Sequence, residues 1–204
     1  MAKLKAPLLS MGATQQLGKT LVFFPWKGLN CAREYVVPAN PNTVPQQTQR
    51  GYMTAAVAMV HTSQALAALP LNAGDIMAYG LQANQEASPR TWFNQFLKQF
   101  VNQRVAALKG AICRDAITTP AAGQLTFDLS WTKEGANDIT AGTFFYGTSP
   151  SALIYSGAAV IAAGRASLVQ AGLTAGVKYY WQFRATAHAD FVGVRSGIYY
   201  GTPT

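Results

Sequence analysis

The sequence predicts an α+β chain, in which an N-terminal arm, a β-hairpin and a three-helix module precede an all-β sandwich. Apolar residues recur at helical spacing between about residues 43 and 110. From about residue 115, short alternating runs separated by Gly, Pro and Ser take their place. We therefore expect two domains, residues 1–115 and residues 116–204.

The first fifty residues predict an arm followed by a hairpin. Residues 1–20 show little periodicity and are expected to form an arm. Thr20–Phe24 and Asn30–Val37 are rich in β-forming residues, and the Pro and Gly of Pro25–Leu29 between them favour a turn. Because a lone hairpin is marginal in water, this one must lie against another surface. The prolines that follow (Pro38, Pro41 and Pro45) predict a rigid, extended segment.

Three helices are predicted from their capping signals. A Ser, Thr or Asn side chain before an apolar run accepts a backbone N–H of the first turn, and a Gly after the run permits a left-handed end. The signals are Thr43 with Gln46 for a helix to about Leu69, Asn72 with Asp75 for the second, and Ser88 with Pro89 for the third, which Gly110 ends.

One face of the third predicted helix is aromatic. Its large rings are Trp92, Phe93, Phe96 and Phe100. We interpret this face as the packing surface that joins the helices to the hairpin. An oligomer contact is the alternative, because three helices and a hairpin offer little volume for four such rings.

The C-terminal part contains two separated strand motifs. Thr118–Gly123 is expected to be the linker, and the run QLTFDLSWT that follows, with Leu125, Phe127, Leu129 and Trp131, resembles the second strand of a fibronectin type III domain. Leu173–Ala185 resembles the sixth strand, with Tyr179 at the family's tyrosine-corner position. The resemblance implies a fibronectin type III or immunoglobulin-like sandwich, whose Tyr179 hydroxyl binds the backbone just upstream. The Ala- and Gly-rich stretch Ser156–Gly164 leaves the middle strands undefined.

A second resemblance covers about residues 18–65. A Trp26-Lys27-Gly28 turn, Arg33, a PANP segment and a QQTQR helix start resemble a group of uncharacterised proteins encoded by bacteriophages and prophages. The resemblance implies a structural role in the virion, as a head decoration, neck or tail component. It implies other virion proteins as partners, and a virion location after synthesis in the host cytoplasm.

Charged residues are few, and the net positive charge belongs mainly to the first half of the chain. The net charge is +8 although only 12% of the residues are charged, and residues 1–115 carry eleven Lys or Arg against four Asp or Glu. A basic arm suits an acidic partner, and a surface poor in charge favours an oligomer or a lattice; solubility is the alternative reading of the charge. The candidate docking residues are Lys19, Phe23, Trp26, Lys27, Arg33, Tyr35 and Arg50.

Binding to nucleic acid or to a cell surface is the competing class of function. Trp26, Lys27, Arg33 and Tyr35 combine stacking and phosphate-binding side chains, as proteins that bind single strands do. We favour this class less, because no nucleic-acid-binding module is recognisable. An adhesive module that binds carbohydrate through the sandwich loops is the other member of the class.

The sequence predicts no enzyme, cofactor or metal site. Ala13–Thr20 satisfies a relaxed phosphate-loop pattern, but a strand ending in Pro25 follows where that motif needs a helix, so chance explains the match. The two histidines and two cysteines lack the spacing of metal ligands. We expect the histidines to be surface residues and the cysteines to be buried free thiols. We also expect no signal peptide and no membrane span.

Overall fold

The computed structural model describes residues 2–4, 15–37 and 42–204, so the predicted Pro38–Pro41 segment lies outside the described residues. The chain divides into two compact units, residues 1–43 and residues 44–204. The helices thus belong to the same unit as the later strands. They contact the first of those strands. The domain boundary expected at residue 115 stays a prediction.

The first unit contains a four-stranded antiparallel sheet. Its strands are β1 (Ala2–Leu4), β2 (Gln15–Leu17), β3 (Leu21–Trp26) and β4 (Leu29–Glu34), in the order β1-β4-β3-β2. The expected hairpin is β3–β4. The expectation of a plain arm over residues 1–20 is wrong for its described parts, because β1 and β2 pair with the two sides of the hairpin. This pairing fills both edges that a lone hairpin leaves open.

Three α-helices occur in the described second unit: α1 (Val44–Ala65), α2 (Ala73–Asn84) and α3 (Trp92–Val105). The start predicted for the second helix at Asn72 and Asp75 is confirmed, and the two residues form a capping box in which each accepts the other's backbone N–H at 3.0 Å. The first helix ends four residues before Leu69. The cap predicted at Ser88 and Pro89 is wrong, because Thr91 caps α3 through the Asn94 N–H.

Gly110 lies close to an aromatic ring and does not end the third helix in the left-handed conformation. That conformation belongs to Ala107, which has a φ of 60°. A Cβ placed on Gly110 would lie 2.1 Å from a ring carbon of Phe100. Glycine is therefore needed here for close packing, which is a different reason from the one that the sequence indicated.

Two further antiparallel sheets complete the second unit. Their strands are β5 (Ala111–Ala121), β6 (Gln124–Lys133), β7 (Ala141–Gly147), β8 (Tyr155–Ala158), β9 (Val160–Ala162), β10 (Arg165–Ala171), β11 (Tyr179–Ala187) and β12 (Tyr199–Gly201). The orders are β5-β6-β10-β9 and β12-β11-β7-β8. The linker expected at Thr118–Gly123 is wrong: it forms the end of β5 and the turn into β6. Pro120 is tolerated because β5 is an edge strand.

The two sheets share one aromatic core. Phe127 of β6 stacks on Trp181 of β11 with ring centroids 5.1 Å apart, and Phe144 of β7 meets the same Trp181 at 5.5 Å. The Tyr179 hydroxyl accepts the Thr174 N–H at 3.2 Å, which is the bond expected for that tyrosine. The Ala- and Gly-rich stretch forms β8 and β9, between which the chain crosses from one sheet to the other at Ala159.

A buried carboxylate fastens α2 to an irregularity in β5. The register between β5 and β6 shifts between Arg114 and Ile117, which leaves the N–H groups of Asp115 and Ala116 without a partner in β6. The fully buried Asp75 accepts both, at 2.8 and 3.2 Å, and also the Tyr199 hydroxyl at 2.9 Å. One side chain thus caps a helix, completes a bulged strand and holds β12.

Helix α2 also covers the edge of β5 on the N-terminal side of the bulge. The Tyr79 hydroxyl accepts the Cys113 N–H at 3.1 Å and donates to the Cys113 carbonyl at 3.3 Å. The Ile198 N–H binds the Ala78 carbonyl at 3.0 Å. At Gly197, an added Cβ would lie 2.6 Å from the Ala78 backbone, so only glycine permits this approach.

Replacing Asp75 with Asn should destabilise the second unit strongly. The amide fills the same volume, but it has one oxygen where the carboxylate offers two acceptors to three N–H groups and a hydroxyl. We expect the free energy of unfolding to fall by about 3 kcal/mol in urea titrations. Asp128→Asn is the matched control, since Asp128 is 33% exposed and pairs with Arg165, and it should cost less than about 1 kcal/mol. Equal effects would contradict the role given to Asp75.

Stability should also fall in alkali. Burial raises the pKa of the Tyr79 and Tyr199 hydroxyls and of the Cys113 thiol above their ordinary values of 10.0 and 9.0. Above about pH 9 the unfolded chain loses these protons while the folded chain keeps them, so the stability declines as pH rises. Urea titrations between about pH 8 and pH 10 should show this decline.

Cys113→Ala isolates the thiol contribution. It should flatten the decline by up to about 1.4 kcal/mol per pH unit, the full effect of one proton. A wild-type stability that stays constant over this range would contradict the assigned burial of the three groups.

Candidate docking surface

The turn of the β3–β4 hairpin is built from Lys27 and Gly28. Both have positive φ, 49° and 77°, which defines the two-residue turn that best matches the twist of paired strands. Glycine adopts this conformation without strain, and Lys27 projects from the tip into solvent. At the other end of β3, Lys19 occupies the turn from β2 with a φ of 56° and is also exposed. A cation therefore lies at each end of the strand.

Strand register assigns the hairpin side chains to two faces. One, here called the Trp26 face, carries Val22, Phe24, Trp26, Leu29, Cys31 and Arg33; the other, the Phe23 face, carries Leu21, Phe23, Pro25, Asn30, Ala32 and Glu34, with Leu17 of β2 beside Leu21. Phe23 and Cys31 are buried, on opposite faces. Each face thus has an apolar centre.

Each face also exposes a pair of large apolar side chains. On the Trp26 face, Trp26 and Leu29 lie opposite each other and are 56% and 46% exposed. On the Phe23 face, Leu17 and Leu21 lie opposite each other and are 48% and 40% exposed. A sheet that lies on a core has one apolar and one polar face, so apolar pairs on both sides indicate two contact surfaces.

The predicted docking residues do not all lie on one surface. Trp26 and Arg33 share a face, and the Arg33 guanidinium lies 5.5 Å from the Phe24 ring centroid. Phe23 lies buried on the other face, and Tyr35 follows β4, where its N–H binds the Thr20 carbonyl at 2.8 Å. Arg50 lies on α1, in the second unit. The structure thus supports a shared surface for Trp26 and Arg33, flanked by Lys27.

Sequence reasoning missed the apolar partners Leu17, Leu21 and Leu29. Period-two alternation in LVFFPW and LNCARE would have placed Leu29 beside Trp26, once the turn was fixed at two residues. Leu17 was assigned to an arm without strands, so its pairing with Leu21 was not predictable from that interpretation.

The aromatic face of α3 belongs to the interior of the second unit. Phe96 and Phe100 are each 1% exposed, and their cluster includes Tyr79 of α2 and Ile112 of β5. The cluster contains residues of the second unit, so these two rings pack within that unit, and their expected contact with the hairpin stays a prediction. Trp92 and Phe93 are half-buried at the margin of the cluster, in edge contact with each other at 5.6 Å.

The residues considered for chemistry are dispersed. Lys19, of the phosphate-loop pattern, lies in a turn between antiparallel strands rather than before a helix. Cys31 and Cys113 are buried free thiols, as expected. Within the described ranges, no group of three or more His, Cys, Asp or Glu side chains could hold a metal ion. Among the same residues, no helix is both long and apolar enough to cross a membrane.

No protein-family model, curated protein or solved structure matches this chain.

Removing the apolar pair of the Trp26 face should weaken self-association. We expect the full chain to show a mass that rises with concentration in light scattering coupled to size-exclusion chromatography. Changing both Trp26 and Leu29 to Ser should raise the dissociation constant at least about tenfold, because it removes the exposed apolar area that a partner would cover. Val169→Ser, at a 60% exposed valine of β10, is the matched control and should have no effect. A full chain that stays monomeric at all concentrations would contradict self-association.

Proposed function

We propose that this chain is a structural protein of a bacteriophage particle, as a head decoration, neck or tail component. Its N-terminal half docks on other virion proteins, and its C-terminal strands form a displayed sandwich of the fibronectin type III or immunoglobulin-like kind. The observation that carries the proposal is the N-terminal sheet, which exposes an apolar pair on each face.

The physical argument for docking is that this sheet cannot cover its own apolar surface. Two sheet faces need two covers, and the described residues of the first unit supply one layer only. Residues 1–43 also carry five Lys or Arg and one Glu, which favours an acidic partner surface. A repeating protein lattice, or a second copy of this chain, would meet both requirements.

Sheet topology supports the displayed sandwich. The orders β5-β6-β10-β9 and β12-β11-β7-β8 correspond to strands A, B, E, D and G, F, C, C′ of an immunoglobulin-like sandwich. The bond between the Tyr179 hydroxyl and the Thr174 N–H corresponds to the tyrosine corner of such domains. A sandwich with its own core folds without the partner, so it is suited to project from a docked base.

The direct test is whether the chain is present in assembled particles. Particles induced from a strain that encodes the chain, and purified by density gradient, should yield its peptides by mass spectrometry in a fixed ratio to the major capsid protein. A tagged chain with Trp26 and Leu29 both changed to Ser should be depleted from the particles, whereas tagged Val169→Ser should be retained. Peptides confined to the soluble lysate would contradict a virion role.

A further inference from the structure

Two arginines lie side by side on the second sheet of the second unit. Arg184 of β11 and Arg195 form an isolated antiparallel bridge, so their side chains leave the same face at directly opposed positions. Like charges placed in this way destabilise a sheet. Burial, and then repulsion by Arg195, lower the pKa of Arg184. The fold thus tolerates an unfavourable pairing, which favours a functional reason for it.

Neither arginine has a carboxylate partner among the described residues. The Arg184 Nε donates to the Gln182 Oε1 at 3.1 Å, and its guanidinium lies 4.4 Å from the Phe145 ring centroid, which fixes its position. Arg195 is exposed. Arg165 of the same unit differs, since it binds both Asp115 and Asp128 at 2.7 Å.

The two arginine side chains line a cavity of about 550 Å³, which lies between the C-terminal end of α2 and the loop at residues 150–154. Gln82, Gln85, Gln182 and Ser151 line it together with the arginines. Glu86 also lines it, but its carboxylate is held by Lys98 at 2.7 Å. The cavity is therefore positive, with neutral hydrogen-bonding groups around the charge.

A second cavity of about 280 Å³ shares Gln82, Glu86 and Arg195 with the first. It adds the amide side chains of Gln95, Gln99, Asn102 and Gln103 on α3. Amides offer both donors and acceptors, as sugar hydroxyl groups do, so a ligand rich in hydroxyls matches this lining.

We propose that Arg184 and Arg195 bind the carboxylate of an acidic sugar, whose hydroxyl groups are bound by the surrounding glutamines. Two adjacent guanidinium groups suit a carboxylate, because each presents a planar fork of N–H donors. The amide lining favours a sugar over an acidic peptide, whose backbone offers fewer groups that both donate and accept. This site lies wholly in the second unit and does not depend on docking through the first.

Calorimetric titration of the full chain with glucuronate tests the site. Glucose has the same hydroxyl-bearing ring without the carboxylate, inorganic phosphate supplies the anion alone, and a triglutamate peptide supplies carboxylates on a peptide. We expect glucuronate to bind, and each of the other three to bind at least about tenfold more weakly.

Arg195→Gln should weaken glucuronate binding at least about tenfold while leaving the unfolding midpoint unchanged or higher, because it relieves the repulsion with Arg184. Lys178→Gln is the matched control. Lys178 lies 4.5 Å from the Tyr200 ring on the same sheet and lines neither cavity, so its loss should leave the affinity unchanged.

Four results would overturn the proposal. Phosphate binding as tightly as glucuronate would show a general anion site, and tighter binding of triglutamate would show a peptide site. An equal loss of affinity in the Arg195 and Lys178 variants would show attraction by net charge alone. Failure of glucuronate to bind at concentrations up to roughly 10 mM would remove the site altogether.

Discussion

The second unit depends on the carboxylate of Asp75. A bulge in an edge strand exposes two N–H groups that water would ordinarily satisfy, yet here the bulge is covered by a helix. A buried donor without a partner is costly, so α2 can lie there only if it supplies acceptors. Asp75 supplies these acceptors from the first turn of α2, where it also completes the capping box. The same side chain therefore holds the start of the helix against the bulge.

This constraint explains how the helices contact the first strand of the second unit. The Tyr79 hydroxyl and the Asp75 carboxylate replace the neighbouring strand that β5 lacks, and the backbone of Ala78 binds the segment that leads into β12. Helix α3 then packs its phenylalanines over Ile112 at the start of β5. The aromatic face was recognisable from the sequence by its spacing, but its partner was not, because Ile112 lies on β5, a strand that the sequence did not predict.

Local signals were predictable and long-range ones were not. The start of α2 involves Asn72 and Asp75, three positions apart, so the sequence contains it directly. The turn expected over Pro25–Leu29 is the two residues Lys27 and Gly28, and the Tyr179 hydrogen bond was implied by the resemblance to a fibronectin type III domain. The linker at Thr118–Gly123 was wrong because Thr, Pro and Gly also suit an edge strand and its turn.

The candidate sites show the same limit. Trp26 and Arg33 were both identified, but their shared face follows from the register of a hairpin, which only a fixed turn defines. Arg184 and Arg195 attract no notice in the sequence, since eleven positions separate them and neither belongs to a motif. Only the pairing of two segments brings their charges together.

The crossing of the chain between β8 and β9 has a consequence for aggregation. Strand edges recruit further strands, and molecules at high local density can polymerise through them. In the second unit the edge strands β8 and β9 are four and three residues long, because the chain leaves one sheet after β8 and joins the other at β9. The free edge of β5 is bound by α2 and by the Thr204 backbone. The edges at β5, β8 and β9 therefore offer little free backbone with which a strand of another molecule could pair.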